Sequence, residues 1–139
     1  MSEPNWDALA PGTQLPPIEM PPLTRQQLAI YCGSYGDHNH VHVDIDFAKQ
    51  AGLGDVIAHG MLIMAYSGRA LTSWIAQQSI KKFDTRFMAM TRIGDAITVT
   101  GTVIEKFVDQ ERRYVRIELA AADQRGEQKT AATALLELR

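Results

Sequence analysis

Three of the chain's four histidines alternate along Gly36-Asp37-His38-Asn39-His40-Val41-His42-Val43-Asp44, and the fourth, His59, stands in Ala58-His59-Gly60-Met61. Two kinds of chemistry are open to such a set. Alternate histidines in an extended segment share one face, and with His59 or Asp37 they could supply three or four ligands to zinc. His-x-His alone is a weak metal signal, and no histidine follows His59. The residues therefore favour a site with no metal and no cofactor. In that reading Asp37 and His42, a carboxylate and an imidazole on one tight loop, converge on a single water. An imidazole changes charge near neutrality and can move protons in either direction. Gly36 permits the turn that places Asp37, and Asn39 can brace the loop with its own side chain. His38 and His40 are expected to face solvent.

Gly60 supplies the second component. The run "HGMLIMAYSGRALTSWIAQQ" reads as a helix, and the first N–H groups of a helix lack internal partners. With no side chain at Gly60 to shield them, these N–H groups and the helix dipole form a site for developing negative charge on a carbonyl oxygen. His59, beside it, is expected to pack or cap at the helix start and to support the site. An acid/base pair with an oxyanion donor is what adding or removing water next to a carbonyl requires.

The rest of the chain must hold these groups. Its 139 residues, 45% apolar and 22% charged, fit one soluble domain spanning 1–139. A net charge of −2 and the lack of a dense Lys/Arg run argue against a nucleic-acid binder. The one cysteine, Cys32, excludes an internal disulfide framework and suits a reducing compartment. "MSEPNWDALAPG" has neither a basic region nor an apolar core, so it does not read as a signal peptide. The most apolar stretch, residues 56–76, is broken by His59, Ser67, Arg69, Thr72 and Ser73, too polar for a membrane span. These features predict a cytoplasmic protein with no membrane partner.

Paired prolines at 16–17 and 21–22 predict an extended lead-in or edge strand. Thr24 reads as the N-cap of a helix through "RQQLAIYCGSY", stopped by Gly33 and Gly36, with Leu28 and Tyr31 on one face. "DIDFAKQAG" reads as a short helix capped by Asp44, with Gly52 beyond its end. The helix after Gly60 is apolar nearly all round, which predicts burial on most sides, and its interior Gly68 suggests close approach of neighbouring backbone. From residue 81 the apolar period becomes two, in "KFDTRFMAM", "DAITVTGTVIEKF", "RRYVRIELAA" and "KTAATALLELR". The expectation is an α+β fold: four strands in an antiparallel meander, curled round one long helix. The free edge and face of such a sheet predict a homodimer.

"GDHNHVHVDIDFA" followed by "IAHGML" resembles the MaoC-like hydratases and dehydratases of the hot-dog fold. The family signature is an aromatic residue, a short spacer, Gly-Asp-x-Asn-Pro-(Leu/Ile/Val)-His, five residues, then Ala or Ser. Tyr31, Gly36, Asp37, Asn39, Val41, His42 and Ala48 stand at those positions. The resemblance continues through "LTSWI" and "IGDAITVTGTV" and so covers most of the chain.

It implies a curved antiparallel sheet wrapped round a central helix, with the site on an N-terminal loop and short helix. It implies reversible hydration of trans-2-enoyl thioesters of coenzyme A or acyl carrier protein to (3R)-3-hydroxyacyl thioesters, a hydro-lyase activity. Asp37 and His42 would hold the water, Gly60 N–H would bind the thioester oxygen, and Asn39, Tyr35, His59 and Tyr31 would support the site or meet substrate. Lys81, Lys82, Arg86 and Arg92 are candidates for carrier phosphates or for a solvated strand face. His40 replaces the usual proline and Tyr35 a small Ser or Thr, which opens the way to a bulky or ring-bearing acyl group. Two alternatives stand beside this reading: a subunit that needs a related hot-dog partner, and a thioesterase. Thioesterases of this fold place a carboxylate on or near the central helix, and residues 60–75 contain no Asp or Glu.

Overall fold

A computed structural model describes residues 4–138; the first three residues of the N-terminal segment discussed above lie outside it. The lead-in runs along the sheet edge, with Gln14 bridging to Thr102 and strand β1 (Ile18–Glu19) pairing with Val99 and Thr98. Helix α1 (Arg25–Tyr35) opens with a reciprocal capping box between Thr24 and Gln27. It runs through Gly33 and ends at Gly36, whose left-handed φ of 86° reverses the chain. Leu28 and Cys32 are its buried residues. Asp44 caps α2 (Ile45–Gln50) by accepting the N–H groups of Asp46 and Phe47.

Helix α3 (Gly60–Thr72) packs on β3, β4 and β5. Those strands span Thr98–Asp109, Arg112–Ala122 and Gln128–Leu138, and β2 spans Ile80–Phe87. All pairings are antiparallel in the order β1-β3-β4-β5-β2. This is the expected hot-dog α+β arrangement, with one correction. Only β3, β4 and β5 form a meander, because β2 joins the far edge beside β5. A sheet that wraps a helix needs a strand on each flank, and residues 88–97 carry the chain across from one flank to the other.

The core lies between α3 and the concave face of the sheet. Ile63, Tyr66, Ser67, Ala70 and Leu71 of the helix are buried, as are Val99, Val103, Val115, Ile117, Leu119, Ala121, Ala134 and Leu136 of the strands. The strand residues recur every second position, as a half-buried strand requires. Helix α3 departs from the reading in two ways. It ends at Thr72, and Met61, Ala65 and Arg69 are exposed, because a single curved sheet covers only one side. Gly68 is not a site of close approach either, since a Cβ there would make only ordinary contact, 3.6 Å from Phe83. The tight position is Gly60, where a Cβ would lie 3.1 Å from the Phe87 ring. Among the described residues no helix is long and apolar enough to cross a membrane.

Candidate active site

The loop between α1 and α2 is shaped by short side chains that bond to nearby backbone. Asp37 Oδ1 accepts from the N–H of Asn39 at 3.2 Å, and Asn39 Oδ1 accepts from the N–H of Val41 at 3.2 Å. These bonds wind His40–His42 into a 3₁₀ turn, so Asn39 braces the loop as expected. The turn also separates the alternating histidines. His38 is exposed with Nδ1 3.3 Å from Cys32 Sγ, exposed His40 meets Phe47 edge-on, and His42 turns inward to 9% exposure.

His42 Nδ1 lies 2.7 Å from the carbonyl oxygen of Ile57. A carbonyl can only accept, so Nδ1 carries a proton, and in the neutral ring Nε2 is left as the acceptor. That Nε2 stands 3.7 Å from Asp37 Oδ2. The gap is too wide for a direct hydrogen bond, yet one oxygen placed beside the pair reaches both.

His59 is 2% exposed and makes no side-chain cap at the start of α3. Instead its Nε2–H donates to the backbone carbonyl of Asp37 at 3.1 Å. Its ring stacks on His42, with centroids 3.8 Å apart and planes 24° apart, and meets Tyr31 edge-on at 4.9 Å. Burial pushes the His59 imidazole below its ordinary value and His42 adds to this, while the bond to Asp37 opposes both. Tyr31 stacks on the exposed Tyr35 at 5.2 Å, and burial, then Tyr35 and Asp37, pushes its hydroxyl up.

A cleft of about 390 Å³ opens onto His42 and Gly60, walled by Ile57, Phe87, Met88 and Met90. A groove of about 700 Å³ lies elsewhere, lined by Asp84, Thr102, Glu118 and Thr133, and holds none of these groups. Donor atoms of Asp37, His42 and His59 lie within 4.8 Å of one another, so the loop does assemble a possible metal set, though not the three alternating histidines. The stacked rings fit an ion poorly. Imidazole lone pairs lie in the ring planes, and two planes 24° apart with centroids separated by 3.8 Å do not bring them to one ion about 2.0–2.1 Å from each nitrogen.

One structural group escaped the sequence reading. Lys129, 1% exposed, stands 3.3 Å from both Asp95 Oδ2 and Asp123 Oδ2, bonds Glu127, and donates to the Met90 carbonyl at 3.0 Å. Arg125 bridges Asp95 and Asp123 at 2.7 and 2.5 Å. Burial alone would raise the Asp95 carboxyl, but the Arg92 N–H, Arg125 and Lys129 hold it below the ordinary range. The cluster pins the cleft wall to the turn between β4 and β5. Lys129 falls on the outward phase of its strand, so it reads as solvated, and residues 88–91 fold over it. Of the cations proposed for carrier phosphates, Lys81 pairs with Glu137, Lys82 with Asp84, and Arg92 donates to the Leu53 carbonyl, while Arg86 lines the larger groove.

The comparisons with known proteins agree with this layout. An 80-residue segment is 34% identical to fatty acid synthase subunit beta of Gibberella zeae; it covers 55% of this chain and 4% of that much longer one. Over 103 residues the chain is 23% identical to 3-hydroxyacyl-thioester dehydratase Z of Mycobacterium tuberculosis, covering 70% of this chain and 68% of that one. The unliganded R-hydratase PhaJ1 of Pseudomonas aeruginosa superposes with a TM-score of 0.82 at 24% identity, over 94% of this chain and 83% of that one. The family model of the MaoC like domain matches residues 8–124, a stretch that holds the Asp37/His42 loop, the start of α3 and most of the sheet; the chain belongs to the MaoC-like family of hydratases and dehydratases.

Proposed function

We propose that this chain, as one domain, catalyses the reversible hydration of trans-2-enoyl thioesters to (3R)-3-hydroxyacyl thioesters. The observation that carries the reading is the His42 Nε2 lone pair facing Asp37 Oδ2 across 3.7 Å, beside a cleft that also opens on Gly60. Asp37 orients a water whose proton passes to His42 Nε2 as its oxygen bonds to C3. The electron pair of the C2–C3 double bond moves toward the thioester carbonyl, whose oxygen takes a hydrogen bond from the Gly60 N–H. The proton held by His42 then returns to C2. Dehydration runs the same steps in reverse. Tyr31, Tyr35 and Asn39 support the site around this pair.

Met88 and Met90 are 50% and 47% exposed at the cleft, and Tyr35 is 51% exposed at the end of α1. So much unpaired apolar surface favours a large or ring-bearing acyl group over the shortest straight chains. A cytoplasmic setting is proposed as well, which the free, buried Cys32 suits.

The test is loss of enoyl-thioester absorbance with straight-chain and ring-bearing enoyl-CoAs. Hydration of at least one is expected, with a (3R) product. Failure of all of them, or an (S) product, counts against the reading. Gly60→Ala is expected to lower kcat/KM about tenfold to a hundredfold, since its Cβ would lie 3.1 Å from the Phe87 ring and crowd the approach to the Gly60 N–H. Adding Phe87→Ala should restore part of that loss.

We also propose a homodimer through β2, the longer of the two outer strands of the sheet. Two antiparallel copies of β2 centred on Thr85 would set each Asp84 against the other's Arg86 and each Phe83 against the other's Phe87. Light scattering should give twice the 15.4 kDa chain mass. A monomer, or stable folding only with a different chain, overturns this.

A further inference from the structure

We propose that His59 is a positioning residue, which ties the Asp37 backbone to the start of α3 and props the His42 ring in place. It rests on the reading of Asp37 and His42 as the catalytic pair. Three observations converge on the role. The His59 Nε2–H bond to the Asp37 carbonyl, at 3.1 Å, fixes the segment from which the Asp37 carboxylate projects. The stack on His42, with centroids 3.8 Å apart, packs against the face of a ring whose edge is held by the bond to Ile57. Tyr31 closes the other side of His59 at 4.9 Å, so the ring has little room to leave.

Packing alone does not account for a histidine at this place. His59 Nδ1 is buried without a partner among the described residues, and an unpaired buried nitrogen is destabilising. A phenylalanine would fill the same space without that cost, so the nitrogen on the other side of the ring is what the position requires. The titratable groups facing His59 are Asp37 and His42 on the loop and Tyr31 on α1. Burial favours the neutral ring, which matches a donor that holds one proton throughout the cycle.

His59→Phe keeps the ring and deletes the donor, and His59→Gln keeps an amide donor at the Nε2 position. For wild-type hydration of the best enoyl-CoA, His59→Phe should lower kcat about 30- to 100-fold with KM changed less than about threefold, the loss expected when a reacting group is misplaced. His59→Gln should recover to within about fivefold of wild type. Phenylalanine at full activity, or both variants losing activity in step with their Tm, would overturn the proposal. Imidazole NMR provides a reading independent of turnover. In His59→Phe the His42 Nδ1–H resonance should broaden or shift, while in His59→Gln it should stay near its wild-type position. If wild type hydrates no enoyl thioester, the functional reading fails, and an unchanged His42 resonance in His59→Phe sinks the positioning role separately.

Discussion

Asp37→Asn and His42→Ala should each lower kcat for enoyl-thioester hydration by about 10²–10⁴-fold, the range supplied by a positioned acid or base. The asparagine retains the shape of the carboxylate but offers an NH₂ where the water needs an acceptor. The alanine removes Nε2, the lone pair that takes the proton, together with the bond to Ile57. The double variant should fall little below the weaker single, because the two groups act on one water and their losses do not add. The Asp37 side chain is 43% exposed, so its variant should melt close to wild type. Full activity in both single variants would show that the pair has been misassigned.

Lys129→Met should be the most damaging substitution away from the chemistry. It removes one of the two cations that face Asp95 and Asp123, whose side chains are 2% and 0% exposed, and leaves Arg125 alone to balance both carboxylates. Because Arg125 remains on both carboxylates, the cost stays below the roughly 3–5 kcal/mol of a buried charge left with no partner. The expected result is a large drop in urea midpoint at pH 7, with the cleft wall loosened at the lost Met90 bond. The pH dependence has a definite sign. The Asp95 carboxyl is depressed in the fold, so its contribution is present above its unfolded value of about 3.9 and is lost as pH falls through the folded value. Without Lys129 that depression shrinks, and the variant should lose less stability than wild type between pH 5 and pH 3. Urea titrations at these pH values check both parts, and equal midpoints at pH 7 would contradict them.

The architecture was legible because its signals are local and repetitive. Thr24 and Asp44 announce helix starts, the apolar period changes from helical to two, and Gly36 closes a helix as its type suggests. The pairing of β2 with β5 was not legible, because strand periodicity says which face is buried and nothing about which neighbour a strand takes. The site divides in the same way. Asp37, Asn39 and His42 lie within one loop, so their spacing carries the geometry. The role of His59 depends on a contact across 22 positions, from Asp37 to the head of α3, and a histidine before a helix reads first as a cap. Lys129 was hidden further still, on the strand phase that normally faces water and under a loop whose path no local pattern gives.

In the substrate complex one oxygen should sit between Asp37 and His42 while a thioester carbonyl rests on the start of α3. This placement is tested most directly by a crystal structure with a bound (3R)-3-hydroxyacyl-CoA. The prediction is a C3 hydroxyl within hydrogen-bond distance of both Asp37 Oδ2 and His42 Nε2, and a thioester oxygen accepting from the Gly60 N–H. A ligand bound with its C3 hydroxyl away from this pair, or with its carbonyl away from the head of α3, would overturn the assignment of Asp37, His42 and Gly60.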